Sequence, residues 1–174
     1  MLKPALAAIA AFTLAMPALA GMDAFGPGTV VPSYGKFVSV PGAELPADAS
    51  FRVAFDVSDA GPEDGVNRYL ESAARLLNMQ AAAGVPVENM SVAIVVHGPA
   101  AADLLTEEAR GTPNPNAGLI SELAAAGVSI QLCGQTAAAK DIEADDLLPG
   151  VTMALSAMTA HALLQQQGYT LNPF

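Results

Sequence analysis

Two patterns of apolar and polar residues alternate along the chain from residue 51. Short apolar and β-branched runs indicate buried strands, and longer stretches with apolar residues at helical spacing indicate helices. The four strand-like runs are 51–57 (FRVAFDV), 90–96 (MSVAIVV), 128–132 (VSIQL) and 151–155 (VTMAL). Helices are predicted over 62–84, from about Pro99, over 117–127, over 136–148 and over 156–167. This alternation predicts an α/β fold: a three-layer α/β/α domain with a mainly parallel sheet of four or five strands.

The predicted helices have candidate caps in the segments that precede them. Ser58 or Asp59 can cap the first helix, and Asn116 can cap the helix before the third strand, because short polar side chains accept from free helix amides. Gly84 and Gly127 mark the ends of these two helices.

The first 20 residues have the pattern of a secretory signal peptide. Lys3 is followed by an apolar run, and Ala18 and Ala20 form an A-x-A site, so cleavage is predicted after Ala20. The apolar run is shorter than the roughly 20 residues that span a bilayer. A retained membrane anchor is the alternative, and no lipobox cysteine supports it.

Residues 21–50 form a segment rich in glycine and proline, ahead of a domain that covers 51–174. Regular structure is not expected in such a segment. It nevertheless carries more apolar side chains than a solvated linker would, namely Phe25, Val30, Val31, Tyr34, Phe37 and Val38. We therefore expect an extended N-terminal arm that docks on the domain or on a neighbouring subunit.

The charge of the chain excludes one class of partner. The 174 residues have a formal net charge of −10 at pH 7 and include no tryptophan. A chain this acidic repels phosphate backbones, so nucleic acid is not an expected partner. No later segment has the pattern of a membrane span, so no membrane contact is expected.

Candidate chemistry gathers where the predicted strands end. Ligands bind at the carboxyl ends of the strands in an open parallel sheet. The single cysteine, Cys133, and one of the two histidines, His97, both follow strands at this edge and are the candidate catalytic residues. The candidate substrate-binding residues are Ser58, Gly98, Gly134, Gln135 and Asn116.

Two other polar residues are interpreted differently. Asp56 ends the first strand and could orient Ser58, cap the next helix or bind a ligand, and capping is the commonest of these outcomes. His161 lies mid-helix among alanines and leucines, which favours a structural or surface role.

The residues alone leave the role of Cys133 open. It precedes a predicted helix, whose N-terminus stabilises a thiolate, but free cysteine is also among the most buried residue types. The chain lacks C-x-x-C, P-loop, G-x-G-x-x-G and G-x-S-x-G motifs, which disfavours dithiol redox, nucleotide-binding and serine-hydrolase functions. No cofactor is predicted, and two histidines far apart in sequence make a poor metal site.

Three segments carry a resemblance to a known family: VVHGPAAADLL, NAGLISELAAAGVSIQLCGQT and LLPGVTMALSAMTAHALLQQQGY. From about Phe51 to Tyr169 the chain resembles the DsrE/DsrF-like sulfur-relay family, and the arm is similar to that of its small exported branch. The resemblance implies a three-layer domain that forms homo-oligomers. It also implies one cysteine that carries sulfane sulfur as a persulfide, which by its match to Cys-Gly-Gln is Cys133.

The leading hypothesis is a periplasmic sulfur-binding or sulfur-transfer protein that carries a persulfide on Cys133. Its partners would be a sulfane-sulfur donor and an acceptor thiol, and whether it turns over as an enzyme is left open. One alternative is a small-ligand-binding module with an inert, buried cysteine. The other is an oligomeric structural module whose arm is exchanged between subunits.

Overall fold

A five-stranded sheet forms the centre of the structure, a computed structural model that describes residues 21–172. The predicted signal peptide, residues 1–20, lies outside this range. The strands are β1 (Phe51–Val57), β2 (Met90–Val96), β3 (Ser129–Cys133), β4 (Val151–Ala154) and β5 (Thr170–Asn172). They follow the order β4-β3-β2-β1-β5, and each strand runs parallel to its neighbours.

Helices cover both faces of this sheet. The α-helices of the described range are α1 (Arg68–Ala82), α2 (Glu107–Arg110), α3 (Ala117–Ala125), α4 (Gly134–Ala139) and α5 (Ala157–Gln166). Short 3₁₀-helices span Gly21–Ala24, Val87–Asn89, Gly98–Leu104 and Ala144–Asp146. Because α1 and α3 pack on one face and α5 on the other, the predicted three-layer α/β/α fold with a parallel sheet is confirmed. No helix within residues 21–172 is long and apolar enough to cross a membrane.

The two faces of the sheet bury side chains of different size. Under α1 and α3 the strands present large residues such as Phe55, Ile94 and Leu132. Under α5 they present Ala54, Ala93 and Val95. Burial of each large aliphatic or aromatic side chain contributes about 1.5–3 kcal/mol, so the first face supplies most of the hydrophobic stabilisation. The second face buries only small and medium-sized side chains. At the carboxyl edge of the sheet, polar side chains follow them on the same face.

The prediction of one helix from about Pro99 was wrong. Residues Gly98–Leu104 form a 3₁₀-helix, and only Glu107–Arg110 is α-helical. The interruption arises because Leu105 is extended and bridges to Leu147, which turns the chain away from the helix axis.

The predicted helix over 136–148 is also divided. It begins earlier, at Gly134, and ends at Ala139. Asp141 has a φ of 53°, a left-handed conformation that does not continue a right-handed helix. The predicted tail after Gly168 contains β5, an edge strand that pairs with β1.

The helix caps correct another expectation. Asn67, rather than Ser58 or Asp59, caps α1, because its side-chain oxygen accepts from the Tyr69 N–H at 2.9 Å. Asn116 stands at the N-terminus of α3 but makes no side-chain capping bond there.

The N-terminal arm docks on α1 of its own chain. The buried Asn78 side chain accepts from the N–H groups of Val30 and Val31 at 3.1 and 2.9 Å. Its amide donates to the carbonyls of Val31, Tyr34 and Gly35. Val31 is fully buried in the main core. The Asn78 side chain of α1 therefore holds the arm through hydrogen bonds to the backbone of the arm.

Candidate functional site

A shallow cavity of about 300 Å³ opens at the carboxyl ends of β1, β2 and β3, beneath the first turns of α5. Its lining consists of Asp56, His97, Cys133, Gln135, Thr136, Ser156, Ala157, Met158 and His161. A second cavity, of about 330 Å³, lies between the arm and the end of α1, and its lining holds no titratable side chain. A third, of about 430 Å³, lies at the start of α1 and has Asp59, Arg68 and Tyr69 in its lining. Of these three cavities, the one at the sheet edge is lined by a cysteine and by histidines.

Strand alternation explains why the reactive side chains share one face. Asp56 lies two residues after Ala54 on β1, and both belong to the face that α5 covers. His97 follows Val95 with the same spacing. Val96 pairs with Leu132, so the next residues along each strand, His97 and Cys133, are neighbours. A separation of about 4.8 Å between adjacent strands brings their backbones close together.

Cys133 ends β3 and stands at the N-terminus of α4, where it is 6 % exposed. Burial raises the pKa of its thiol. The N–H groups of Thr136, Ala157 and Gln135 and the Thr136 hydroxyl oppose this effect by favouring the thiolate, and the net pKa lies below the ordinary value of 9.0. Two of these amides belong to α4 and one to α5, so groups from two chain segments lower the pKa of one thiol.

Thr136 also connects the thiol to the turn after β2. Its hydroxyl oxygen accepts from the Gly98 N–H at 3.1 Å, which leaves the hydroxyl hydrogen free to point at the sulfur. Gly98 has a φ of 59°, a conformation that favours glycine. The His-Gly pair and the Cys-Gly pair are therefore joined through one side chain.

Gly134 is required by a close approach between the start of α4 and the end of β4. A Cβ atom at this position would lie 2.6 Å from the Ala154 carbonyl oxygen and 3.2 Å from that of Leu155. Gln135 reinforces the contact, since its side-chain amide donates to the Leu155 carbonyl at 3.3 Å. The glycine thus lets the strand end reach the helix whose amides surround the thiol.

Asp56 holds the two histidines of the cavity. Its Oδ1 atom lies 2.7 Å from Nε2 of His161 and 3.2 Å from Nε2 of His97. The hydrogen bonds of both rings go to this carboxylate rather than to Cys133. The lining contains no lysine or arginine, so the histidines are its only sources of positive charge.

The structure brings together five of the seven sequence-predicted site residues in this cavity or beside it. Cys133, His97 and Gln135 line the cavity, Gly134 lies between two of these lining residues, and Gly98 contacts Thr136 of the lining. Ser58 uses its carbonyl to accept from Ala100 and does not line the cavity. Asn116 is fully buried elsewhere, between the Asn67 N–H and the Asp103 carboxylate.

Sequence reasoning did not assign six residues of the lining to the site: Asp56, Thr136, Ser156, Ala157, Met158 and His161. For Asp56 it left open helix capping, orientation of Ser58 and ligand binding, and for His161 it favoured a structural or surface role. In the structure these two side chains meet in the cavity. Thr136 was not singled out. Strand alternation could have placed Asp56 on the face of Ala54, but nothing local in the sequence brings α5 to that face.

The side chains do not form a metal centre. Within residues 21–172 no group of three or more histidine, cysteine or acidic side chains has an arrangement that could hold a metal ion. The cavity holds a thiol whose pKa is lowered, two imidazoles and a carboxylate.

The fold and the site together define a class: three-layer α/β domains with a single activated thiol at the carboxyl edge of a parallel sheet. A family model described as the DsrE/DsrF-like family matches residues 52–173. The chain belongs to that family.

Two solved structures share the fold. One is a protein of unknown function, MTH1491, from Methanobacterium thermoautotrophicum, with a TM-score of 0.56, 23 % identity and coverage of 72 % of this chain and 100 % of that one. The other is the ychN protein from E. coli, with a TM-score of 0.56, 17 % identity and coverage of 71 % and 99 %. A comparison with curated proteins gives no match.

Proposed function

We propose that the protein binds sulfane sulfur on Cys133 as a persulfide and passes it to an acceptor thiol. The single observation that carries this proposal is the environment of Cys133, where three amides and a hydroxyl lower the pKa of a thiol that lines an open cavity. Membership of a family associated with sulfur relay supports it. A thiolate, not a thiol, is the nucleophile that attacks sulfur.

The loading step conserves atoms and electrons. The Cys133 thiolate attacks the outer sulfur of a donor persulfide, R–S–SH. A new S–S bond forms, the donor S–S bond breaks, and the donor leaves as its thiolate with the bonding pair. The product is Cys133–S–SH, whose anion the same amides and the Thr136 hydroxyl stabilise. The chain has one cysteine, so no internal thiol can discharge the persulfide as a disulfide.

His97 assists loading in this proposal. It neighbours Cys133 on the adjacent strand and lines the same cavity, so in this proposal its ring donates a hydrogen bond to the donor sulfur that leaves. His97→Gln is therefore expected to slow loading and to leave the fold intact. Gln135 and Gly98 contribute polar groups at the cavity rim.

Intact mass measurement tests the proposal. The mature chain is incubated with polysulfide, freed of excess reagent and weighed, with Cys133→Ser as the matched control. One added sulfur atom on the natural chain and none on the serine variant is the expected result. An adduct that survives the substitution, or no adduct at all, overturns it. No adduct, together with alkylation as slow as that of a free cysteine, would favour the ligand-binding alternative.

We further propose that a second copy of the chain covers an apolar surface beside the cavity. Leu155 and Met158, at the end of β4 and the start of α5, are 73 % and 80 % exposed, and Met153 is also exposed. Exposed apolar clusters of this kind mark interfaces. Light scattering should show that Leu155→Glu with Met158→Glu dissociates an oligomer, whereas Leu171→Glu, at the far edge of the sheet, does not. A natural chain that is monomeric at all concentrations contradicts the proposal.

Localisation in the periplasm is proposed from the sequence of residues 1–20. Expression of the full chain in a Gram-negative host should yield a periplasmic product that begins at Gly21. Ala20→Arg should leave the precursor uncleaved, because the processing site requires small residues. A product of full length in the cytoplasm contradicts this proposal.

A further inference from the structure

The cavity holds two groups that sulfur loading does not require, Asp56 and His161. Their contact, at 2.7 Å, is the shortest among the polar side chains of the lining, and the His161 side chain is only 16 % exposed. The pair joins α5 to β1 through polar side chains, whereas α5 otherwise packs on the sheet through alanine and leucine. A part-buried histidine–carboxylate pair beside an activated thiol is a proton-handling arrangement.

Discharge of the persulfide depends on such a group more than loading does. The groups around Cys133 lower the pKa of its thiol and so favour the thiolate that loading uses. An acceptor thiol arrives from solution with an ordinary pKa of about 8.5 and is mostly protonated at neutral pH. Its proton must leave before or as its sulfur attacks. The bases of the lining are Asp56 from β1, His97 from the end of β2, Cys133 itself from β3 and His161 from α5.

We propose, on the basis of the proposed function, that His161 accepts the proton of the acceptor thiol, and that Asp56 positions His161 for this step. The acceptor R′–SH gives its proton to His161 as its sulfur attacks the outer sulfur of Cys133–S–SH. The R′S–S bond forms, the bond to the Cys133 sulfur breaks, and Cys133 leaves as a thiolate. The products are R′–S–SH and a protonated His161, which later returns its proton to solvent.

The hydrogen bond to Asp56 determines which nitrogen of the His161 ring carries the hydrogen. A carboxylate only accepts, so Nε2 of His161 carries the hydrogen and Nδ1 keeps a lone pair that can take a proton. Asp56 touches no sulfur in this step and acts through His161.

The position of His161 on α5 supports its assignment over His97. His161 lies four residues after Ala157 on α5, and both residues line the cavity together with Cys133. Four residues correspond to about 6 Å along the helix axis, so His161 lies one turn further along α5 than the residue at its start. His97 is more exposed and holds Asp56 at 3.2 to 3.3 Å.

Single-turnover measurements that separate the two half-reactions test this proposal. The full mature chain and its His161→Gln and Asp56→Asn variants are loaded with polysulfide, and transfer is then followed to two acceptor thiols. One is an alkyl thiol that is protonated at the assay pH, and the other is an aromatic thiol that is already ionised. Gln166→Ala, at an exposed position of the same helix, is the matched control.

The expected result is a loss of transfer rate whose size depends on the acceptor thiol. His161→Gln should load like the natural chain, transfer to the alkyl thiol roughly 10²-fold more slowly and transfer to the ionised thiol at the natural rate. Asp56→Asn should show the same selectivity, and added imidazole should restore part of the lost rate to His161→Ala. Normal loading verifies that each variant is folded.

Two results overturn the proposal while leaving the proposed function in place. One is that the His161→Gln variant transfers sulfur to both thiols as fast as the natural chain does. The other is an equal loss with both thiols, which would mean that His161 shapes the cavity without taking a proton. A natural chain that takes up no sulfur overturns the proposed function and this proposal together.

Discussion

The Nε2 atom of His161 lies 2.7 Å from a carboxylate oxygen of Asp56, although 105 positions separate the two residues. The contact ties α5 to β1 at the carboxyl edge of the sheet, on the face where the remaining helix packing involves small residues. The same helix supplies the Ala157 N–H, one of the groups that lower the pKa of the Cys133 thiol. The helix therefore contributes both an amide and an imidazole to one cavity.

Removal of the Thr136 hydroxyl should make the thiol less reactive. In Thr136→Val the sulfur loses a hydroxyl donor, so the pKa of Cys133 rises toward its ordinary value. A hydrogen bond to a charged group is worth about 1.5–3 kcal/mol, so the rate of alkylation at neutral pH should fall roughly tenfold or more. Stopped-flow alkylation measures this rate. Thr136→Ser keeps the hydroxyl and should stay near the natural rate; an equal loss in both variants would point to packing instead.

Cys133 should make the stability of the protein depend on pH. Its folded-state pKa is lowered, so the folded state favours the thiolate more than the unfolded state does. The stabilisation is fully present above the ordinary value of 9.0 and is lost as the pH falls through the lower folded-state pKa. Denaturant unfolding across this range should show the difference in free energy of unfolding between the natural chain and Cys133→Ser shrinking toward lower pH. A difference that is constant with pH would rule out a lowered pKa.

A side chain at position 134 should destabilise the site. In Gly134→Ala the new Cβ would lie 2.6 Å from the Ala154 carbonyl oxygen, so β4 and α4 must separate. The free energy of unfolding should fall by about 1–3 kcal/mol, and alkylation of Cys133 should slow because its amides shift. Gly26→Ala, where a Cβ meets no atom within 4 Å, is the control and should change stability by less than about 0.5 kcal/mol. Equal effects of the two substitutions would contradict the steric argument.

Loss of Asn78 should release the arm. Asn78→Ala leaves the N–H groups of Val30 and Val31 without their partner in a buried setting, at a cost of about 2–4 kcal/mol. Limited proteolysis should then cleave within residues 21–50 well before the domain is degraded. Asn89→Ala, at an exposed position, should leave the arm protected. Protection that persists in Asn78→Ala would mean that apolar contacts such as those of Val31 suffice to hold the arm.

Local patterns determined most of the fold. The strands over 51–57 and 90–96 were predicted at their observed bounds, the first from its β-branched and aromatic residues and the second from its continuous apolar run. The apolar stripe of α1 was likewise visible as spacing along the chain. Helix bounds were less predictable where tertiary contacts intervene. Leu105, for example, is extended and bridges to Leu147, so the helix predicted from Pro99 is interrupted there.

The sequence by itself determined that Cys133 and His97 lie at one edge of a parallel sheet, because strand periodicity and strand direction are local properties. Only the tertiary structure decided which residues surround the thiol. The Ala157 amide and the Asp56–His161 pair come from segments distant in the chain, and their meeting depends on the packing of α5 over small residues. Hydrogen bonds between residues so far apart in the chain leave no periodic signal in the sequence. The sequence could therefore locate the cavity but could not identify the side chains that line it.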